Sequence, residues 1–333
     1  MLLLDAVFIN NSGGKVLLDY LVKKLETAGI NPFYLLDKRC EESYINDIPT
    51  SRKEFVEANL YSRNTFYKRN SYRFTKIFCF GNVPPTLALK VPVYTYFHNV
   101  SLFNYPATYS LKEKFLKSIK SKIISFFSKN TTYFIVQTED VKALLLKSIK
   151  FPEDKCVVVP FFNLMENRKG ENKDNSFAYV SNGNTHKNHL ILIQAWYELA
   201  SKNLFPELHL TITDNYIELI SLIDVAKSKG LRINNHGFTD AYRLYASTKY
   251  LIYPSLCESF GLGLIEAAAS GCNVIASDLP YVYEVVKPTA TFDPNSSKSI
   301  SKSVEEVLSG KNNIRTELIV ENKIQELLEL IRT

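Results

Sequence analysis

Short apolar runs rich in β-favouring residues alternate along the chain with stretches whose apolar positions recur at helical spacing. Leu2 to Ile9 reads as a strand, and Gly14 to Ala28 as the helix that follows it. Further strands are predicted at Pro32 to Leu36, Lys76 to Phe80, Val93 to Phe97 and Tyr133 to Gln137, the last leading into a helix over Thr138 to Ile149. The second half repeats the rhythm. Phe177 to Val180 precedes a helix at His189 to Ser201, and Leu208 to Thr213 precedes one at Tyr216 to Lys229. Leu231 to Asn234, Tyr250 to Pro254 and Asn273 to Ala276 complete the strands, with a helix at Leu262 to Ser270 between the last two. Strand, helix, strand in succession is the signature of an α/β fold, and here predicts two doubly wound parallel sheets.

At 333 residues the chain exceeds one ordinary domain of about 100 to 200 residues and suits two. Asn163 to Ser176 is polar, charged and nearly free of apolar residues, so the linker is placed at 163–176, between domains at 1–162 and 177–312. Residues 313–333 are read as a C-terminal helix able to pack back on the first domain. Open α/β sheets bind ligands beyond the carboxyl ends of their strands, so two such domains are expected to enclose a substrate in a central cleft.

Composition narrows the class. Hydrophobic residues make up 46% and charged residues 22%, values of a folded globular protein. Apolar runs such as Lys249 to Leu256 fall short of a bilayer span, and no signal-peptide pattern follows Met1. Five scattered cysteines without a CxxC pair indicate neither a disulfide framework nor a zinc site, and fit a cytoplasmic setting. The net charge of +6 hides an asymmetry: residues 1–160 carry 23 Lys and Arg against 14 Asp and Glu, the remainder 17 against 20. The first half is therefore expected to face something anionic.

Pro254 to Gly271, PSLCESFGLGLIEAAASG, holds the densest chemistry. A buried strand ends at Pro254, Glu258 falls in the next loop, and a helix with small residues on one face begins at Gly261. A helix N-terminus reached through glycine offers unpaired amides and a positive dipole end, a ready diphosphate site. Phe260, Gly261 and Leu262, next to Ser259, supply the amides. A loop carboxylate at Glu258 can accept hydrogen bonds from sugar hydroxyls, and Glu266, inside the helix, can take both hydroxyls of a ribose. Two lone glutamates are more often a cap and a solvated side chain, but LGLIEAAASG is too apolar to be an exposed face.

This stretch resembles the signature of retaining glycosyltransferases of family 4, PS-x-x-E-x-F-G-L-x-x-x-E-A-x-A-x-G. Other landmarks follow in the family's order: Ser12-Gly13-Gly14 as its glycine-rich loop, His98 in FHN as its histidine at a strand end, and VVVPFFN at 157–163 as the entry to the second domain. Asn235-His236-Gly237-Phe238, Leu244-Tyr245 and Ala276-Ser277-Asp278 match as well. The resemblance implies a GT-B fold, two Rossmann-like domains with the acceptor in the first and the nucleotide sugar in the second. It further implies that Lys187, in HKNH, lies against the donor diphosphate, that His98 lies beside the donor sugar, and that Gly13, Gly14, Asn182, His236, Gly237 and Phe238 line the donor. Where the family has Gly-Arg, this chain has Ser181-Asn182. His98, Lys187 and Glu258 are the candidate catalytic residues. No cofactor and no metal are expected: the P-loop spacing is absent around Gly14, and Asp278 and Asp293 form no DxD motif.

Leu111 to Lys129 forms a basic amphipathic pattern, with Leu111, Phe115, Ile119, Ile123 and Phe126 at helical spacing and Lys112, Lys114, Lys117, Lys120, Lys122 and Lys129 mostly elsewhere on the wheel. It is either a domain helix with its apolar side on the core or a surface that docks on an anionic membrane. Arg52 to Lys76 interleaves seven basic residues with aromatics, a mixture also found in single-stranded nucleic-acid binding, but an acceptor cleft accounts for the same residues and no nucleic-acid partner is expected. The expected activity is metal-independent transfer of a sugar from a UDP-, GDP- or dTDP-sugar to a glycan acceptor. That acceptor is expected to be lipid-linked, in bacterial lipopolysaccharide O-antigen or capsule biosynthesis, at the inner face of the cytoplasmic membrane. The alternatives are a transferase with a soluble acceptor, as in sucrose or glycogen synthases, and a non-catalytic sugar-nucleotide or nucleic-acid binding protein.

Overall fold

A computed structural model describes residues 1–44, 47–106, 109–164, 173–311 and 314–332. The chain divides into two compact units. The first comprises Met1–Tyr105, Leu111–Asn163 and Glu321–Thr333, and the second Leu164–Val320 with Pro106–Ser110.

Among the described residues the first unit is built on seven strands: β1 (Leu2–Ala6), β2 (Phe33–Asp37), β3 (Lys53–Val56), β4 (Lys76–Cys79), β5 (Val93–Tyr96), β6 (Tyr133–Val136) and β7 (Cys156–Val158). Their order is β3-β2-β1-β4-β5-β6-β7 and every pairing is parallel. Leu3 sits between Phe33 and Ile77 in register. The sheet is covered on both faces, which is why its inner strands are apolar throughout: β1 and β2 are buried at every position. Strand β3 went unpredicted because it is an edge strand, with Glu54 exposed and its neighbours half-buried.

One polar cluster interrupts this core. Arg63 Nε donates to Asp5 Oδ2 at 2.6 Å, the Tyr67 hydroxyl donates to the same oxygen at 2.5 Å, and Arg63 also donates to the carbonyls of Val83 and Pro84. The carboxylate and guanidinium are almost fully buried. Each partner satisfies the other, so the charges cross the core without leaving an orphan.

The second unit holds β8 (Asp174–Tyr179), β9 (Leu208–Leu210), β10 (Ile233–Asn235), β11 (Thr248–Tyr253), β12 (Asn273–Ser277) and β14 (Ala290–Phe292) in the order β10-β9-β8-β11-β12-β14, again all parallel. Strand β13 (Val286–Lys287) pairs antiparallel with β15 (Glu317–Leu318). Phe177, Trp196 and Tyr250 pack together in its core, with ring centroids 5.6 and 4.9 Å apart from Phe177.

Two expectations need adjusting. Asp174 to Ser176, read as the end of the linker, open β8: Asp174 pairs with Thr248, and polar residues are tolerated there because the first two positions are exposed. Residues 165–172 of that linker lie outside the described residues. The helix expected over 313–333 is confined to Ile324–Ile331, because Glu317 and Leu318 are taken by β15. That short helix belongs to the first unit. Lys323 N donates to the Pro160 carbonyl at 2.8 Å, Asn322 Nδ2 bonds the Phe162 carbonyl and the Tyr20 hydroxyl, and Lys76 Nζ caps the carbonyls of Leu330 and Arg332.

Candidate functional site

The geometry of the second unit's site starts from β11. Its buried end delivers the chain to Pro254, and the loop Ser255 to Gly261 then turns into the helix Leu262–Ala269. Gly261 occupies the N-cap position at φ +72°, in the left-handed region, and a Cβ there would lie 2.9 Å from Leu264 Cδ1. Only glycine takes that turn without strain. The amides of Leu262 and Gly263 fall in the first turn, where no intrahelical acceptor precedes them.

Across from this loop lies the turn after β8. The Leu256 amide donates to the His186 carbonyl at 2.8 Å, and Asn188, itself at φ +64°, donates through Nδ2 to the carbonyls of Pro254 and Pro294. These clips hold Lys187 over Glu258. Lys187 Nζ lies 2.5 Å from Glu258 Oε1, and the Tyr253 hydroxyl donates to the same oxygen at 3.0 Å. Burial pushes the Glu258 carboxyl up, but Lys187, with help from Ser255 and His186, outweighs it and holds the group below the usual carboxylate range. The result is a carboxylate kept ionised in a largely desolvated place.

Glu266 differs. It lies one turn into the helix, and burial, with a smaller push from Asp240, raises its carboxyl to about 7. The Tyr245 hydroxyl, coupled electrostatically to Glu266, is fully buried and has no hydrogen-bond partner among the described residues. A carboxyl held at this place in the helix suits the hydroxyls of a ligand.

Other expected positions are distributed as follows. Asn182 lies in the turn after β8, where its Oδ1 accepts from the Asn184 amide at 3.3 Å. Phe260 is buried and Ser259 partly exposed. His236 leaves β10 and turns to His209 on β9, Nε2 to Nδ1 at 2.9 Å; Gly237 follows at φ +62° and Phe238 is 96% exposed. Because β10 stands two strands from β8, this corner is set apart from Lys187 and Glu258 along the sheet edge.

In the first unit, Gly13 and Gly14 do not form a loop: they belong to the first turn of the helix Ser12–Thr27, with Ser12 at φ +54° making the entry. A Cβ on Gly14 would lie 3.4 Å from His98 Cε1, at ordinary contact distance, so Gly14 packs beside the imidazole. His98 is held by Asn82 Oδ1, which accepts from its backbone amide at 2.7 Å, and its ring stands against Phe80 and Tyr96. Burial lowers its pKa to about 4, leaving a neutral imidazole at physiological pH. The basic helix spans Leu111–Phe127, and its core-packing reading fails. Ile124 is its one buried residue, while Leu111 (86%), Phe115 (67%) and Phe126 (64%) are well exposed. Lys112, Lys120 and Lys122 are exposed with them, and Lys117 Nζ bonds Ser101 Oγ at 2.7 Å.

Sequence reasoning missed several supporting residues. Tyr253 reads as a strand residue, although its hydroxyl serves Glu258 five positions on. Gly183 is needed because a Cβ there would lie 2.5 Å from Tyr216 Cγ. His189, whose Nε2 meets Ser181 Oγ at 3.2 Å, has its pKa lowered to about 3 by burial, with Lys187 and His186 adding.

With this geometry in view, residues 162–325 match the family model described as Glycosyl transferases group 1. That match spans just under half of the chain. The chain is also 26% identical over 219 residues to the O-antigen chain mannosyltransferase RfbU of Salmonella typhimurium, a match that spans 63% of this chain and 59% of the mannosyltransferase. The fold resembles that of Anabaena HepE in complex with UDP-glucose (TM-score 0.70, 14% identity, 100% of this chain and 95% of that one). It equally resembles sucrose-phosphate synthase from Thermosynechococcus elongatus (TM-score 0.69, 17% identity, 99% and 96%). The chain thus has the two-sheet GT-B fold.

Proposed function

We propose that this protein is a retaining glycosyltransferase of family 4 that takes a sugar from a nucleotide sugar and passes it to a glycan acceptor. The observation that carries the reading is the juxtaposition of three groups: the Lys187 and Glu258 pair, the helix N-terminus behind Gly261, and the desolvated Glu266 one turn further in. The amides and Lys187 suit a diphosphate, Glu258 suits sugar hydroxyls, and Glu266 suits a ribose. In the reaction the acceptor hydroxyl attacks the anomeric carbon on the face the nucleotide leaves. The bond from that carbon to the phosphate oxygen breaks, and the departing phosphate takes the hydroxyl proton. Lys187 and the amides stabilise the charge that develops on the phosphate, so the reaction needs positioning and electrostatics rather than a metal.

The RfbU relative and the exposed apolar and lysine face of Leu111–Phe127 support a lipid-linked acceptor in O-antigen, lipopolysaccharide or capsule assembly at the inner membrane face. Among the described residues no helix is long and apolar enough to cross a membrane, so contact through that face is the proposed mode. The likeness to sucrose-phosphate synthase favours a second reading, transfer to a soluble acceptor. A thermal-shift screen against UDP, GDP and dTDP tests the donor half: at 100 times Kd the correct nucleotide stabilises by about 2.7 kcal/mol. If no nucleotide shifts the unfolding temperature and no nucleotide sugar is consumed with any glycan acceptor, the reading fails.

A further inference from the structure

A diphosphate brings at least two negative charges, yet Lys187 is already neutralised by Glu258 at 2.5 Å. The turn after β8, Ser181 to Asn188, reads SNGNTHKN and contains no other ammonium or guanidinium. A diphosphate placed against it would meet a pair of zero net charge, one member of which is an anion. The other group of this turn able to carry a positive charge is His186.

His186 is built in rather than loose. Its carbonyl receives the Leu256 amide at 2.8 Å and the Ser255 hydroxyl at 3.4 Å, tying it to the loop that carries Glu258. Its ring Nδ1 lies 3.2 Å from the hydroxyl of Tyr109, with the two rings perpendicular and 6.1 Å apart. Tyr109 comes from the first half of the sequence but belongs to the second unit. With the phenol donating to Nδ1, the ring proton sits on Nε2, and protonation then makes Nδ1 the donor to the phenol oxygen. The same tyrosine therefore holds the ring in both charge states. His186 also acts electrostatically on Glu258 and on His189, which places it within the field of the pair.

We propose that His186, oriented by Tyr109, is the second cationic group of the donor's diphosphate site, drawing a proton when the phosphates arrive. The inference rests on the nucleotide-sugar reading above and adds a binding residue to it. A dianion near the ring favours imidazolium, so the charge appears where and when it is needed.

The test uses the full chain and the nucleoside diphosphate that stabilises the wild type best among UDP, GDP and dTDP, together with the corresponding monophosphate and free nucleoside, by titration calorimetry. His186→Gln is expected to weaken the diphosphate about tenfold and the nucleoside less than about twofold, as loss of one charge-assisted contact to phosphate requires. His186→Lys is expected to restore most of the diphosphate affinity, and Tyr109→Phe to weaken it several-fold. Circular dichroism and unfolding temperature confirm that each variant is folded. If folded His186→Gln binds the diphosphate like wild type, or loses diphosphate and nucleoside affinity equally, the assignment to His186 is overturned while the transferase reading stands. If the wild type binds none of the three nucleotides, both fall.

Discussion

Lys187 and Glu258 meet at 2.5 Å from two different loops, and each is the reason the other can be charged there. The folded carboxyl lies below its ordinary value, so the pair contributes stability that is present above about pH 4.5 and lost as pH falls through the folded value. In Lys187→Ala that sign reverses. Burial then raises the orphaned carboxyl, and the variant loses stability as pH rises instead. Unfolding temperature against pH, from pH 3 to 8, should show the variant losing more stability than wild type as pH rises and losing less as pH falls below about 4.5; parallel curves would contradict the pairing. On the proposed function, Glu258→Gln frees Lys187 for phosphate, so nucleotide binding should hold or tighten while transfer falls by about 100-fold or more.

Burial, with a smaller push from Asp240, raises the Glu266 carboxyl to about 7. The folded state keeps a proton that the unfolded chain releases around pH 4.5, so this stabilisation is complete below that value and disappears as pH rises through 7, a swing of about 3 kcal/mol. Glu266→Gln should therefore unfold at higher temperature than wild type at pH 8 and differ little at pH 5. If ribose hydroxyls donate to the carboxylate, nucleotide binding by wild type releases a proton. Calorimetry in two buffers of different ionisation enthalpy would reveal it, and the variant should show none.

Gly261→Ala places a Cβ 2.9 Å from Leu264 Cδ1 at a backbone angle of +72°. The strain is expected to cost about 1–2 kcal/mol and to turn the first-turn amides away from their common direction. Chemical denaturation should report the loss, and nucleotide affinity should drop with it. An unchanged affinity would remove the helix start from the donor site.

Arg63→Ala leaves Asp5 and Tyr67 in the core of the first unit without their guanidinium, and is expected to destabilise by about 3–5 kcal/mol. Denaturant unfolding measures it. The cluster lies wholly in the first unit, so nucleotide affinity of the folded fraction should stay at the wild-type value.

Vesicle sedimentation tests the helix Leu111–Phe127. Replacing Lys112, Lys117 and Lys122 with Gln should weaken binding to phosphatidylglycerol vesicles about 100-fold, at about 1 kcal/mol per lysine, and leave binding to neutral vesicles unaffected. Phe115→Ser with Phe126→Ser should weaken both. Wild-type protein that stays in the supernatant with anionic vesicles would favour the soluble acceptor.

The buried parallel strands were legible because strands covered on both faces are written as unbroken apolar runs, as Leu2 to Ala6 is. Lys53–Val56 was not, because an edge strand half in water needs no such pattern. The site divides in the same way. Glu258, Gly261 and Glu266 were visible because one strand, one turn and one helix hold them within nine positions. Tyr109 and His186 stand 77 residues apart and Gly183 faces Tyr216 from another loop, relationships that only the folded chain establishes. The exposed apolar residues of Leu111–Phe127 mark the opposite failure: helical periodicity was read correctly, but periodicity does not say whether the stripe meets a core or a surface.

The helix Ile324–Ile331 closes the first unit, although about 160 residues of the second lie between it and Asn163. A ribosome adding roughly 5–20 residues per second therefore holds the first sheet without its closing helix for roughly 10–30 seconds while the other sheet is being made. The half begun first is completed last. During that interval Lys76, Pro160 and Phe162 lack the contacts they later make with residues 322–332, and this is the window in which the nascent chain is most open to chaperones and proteases.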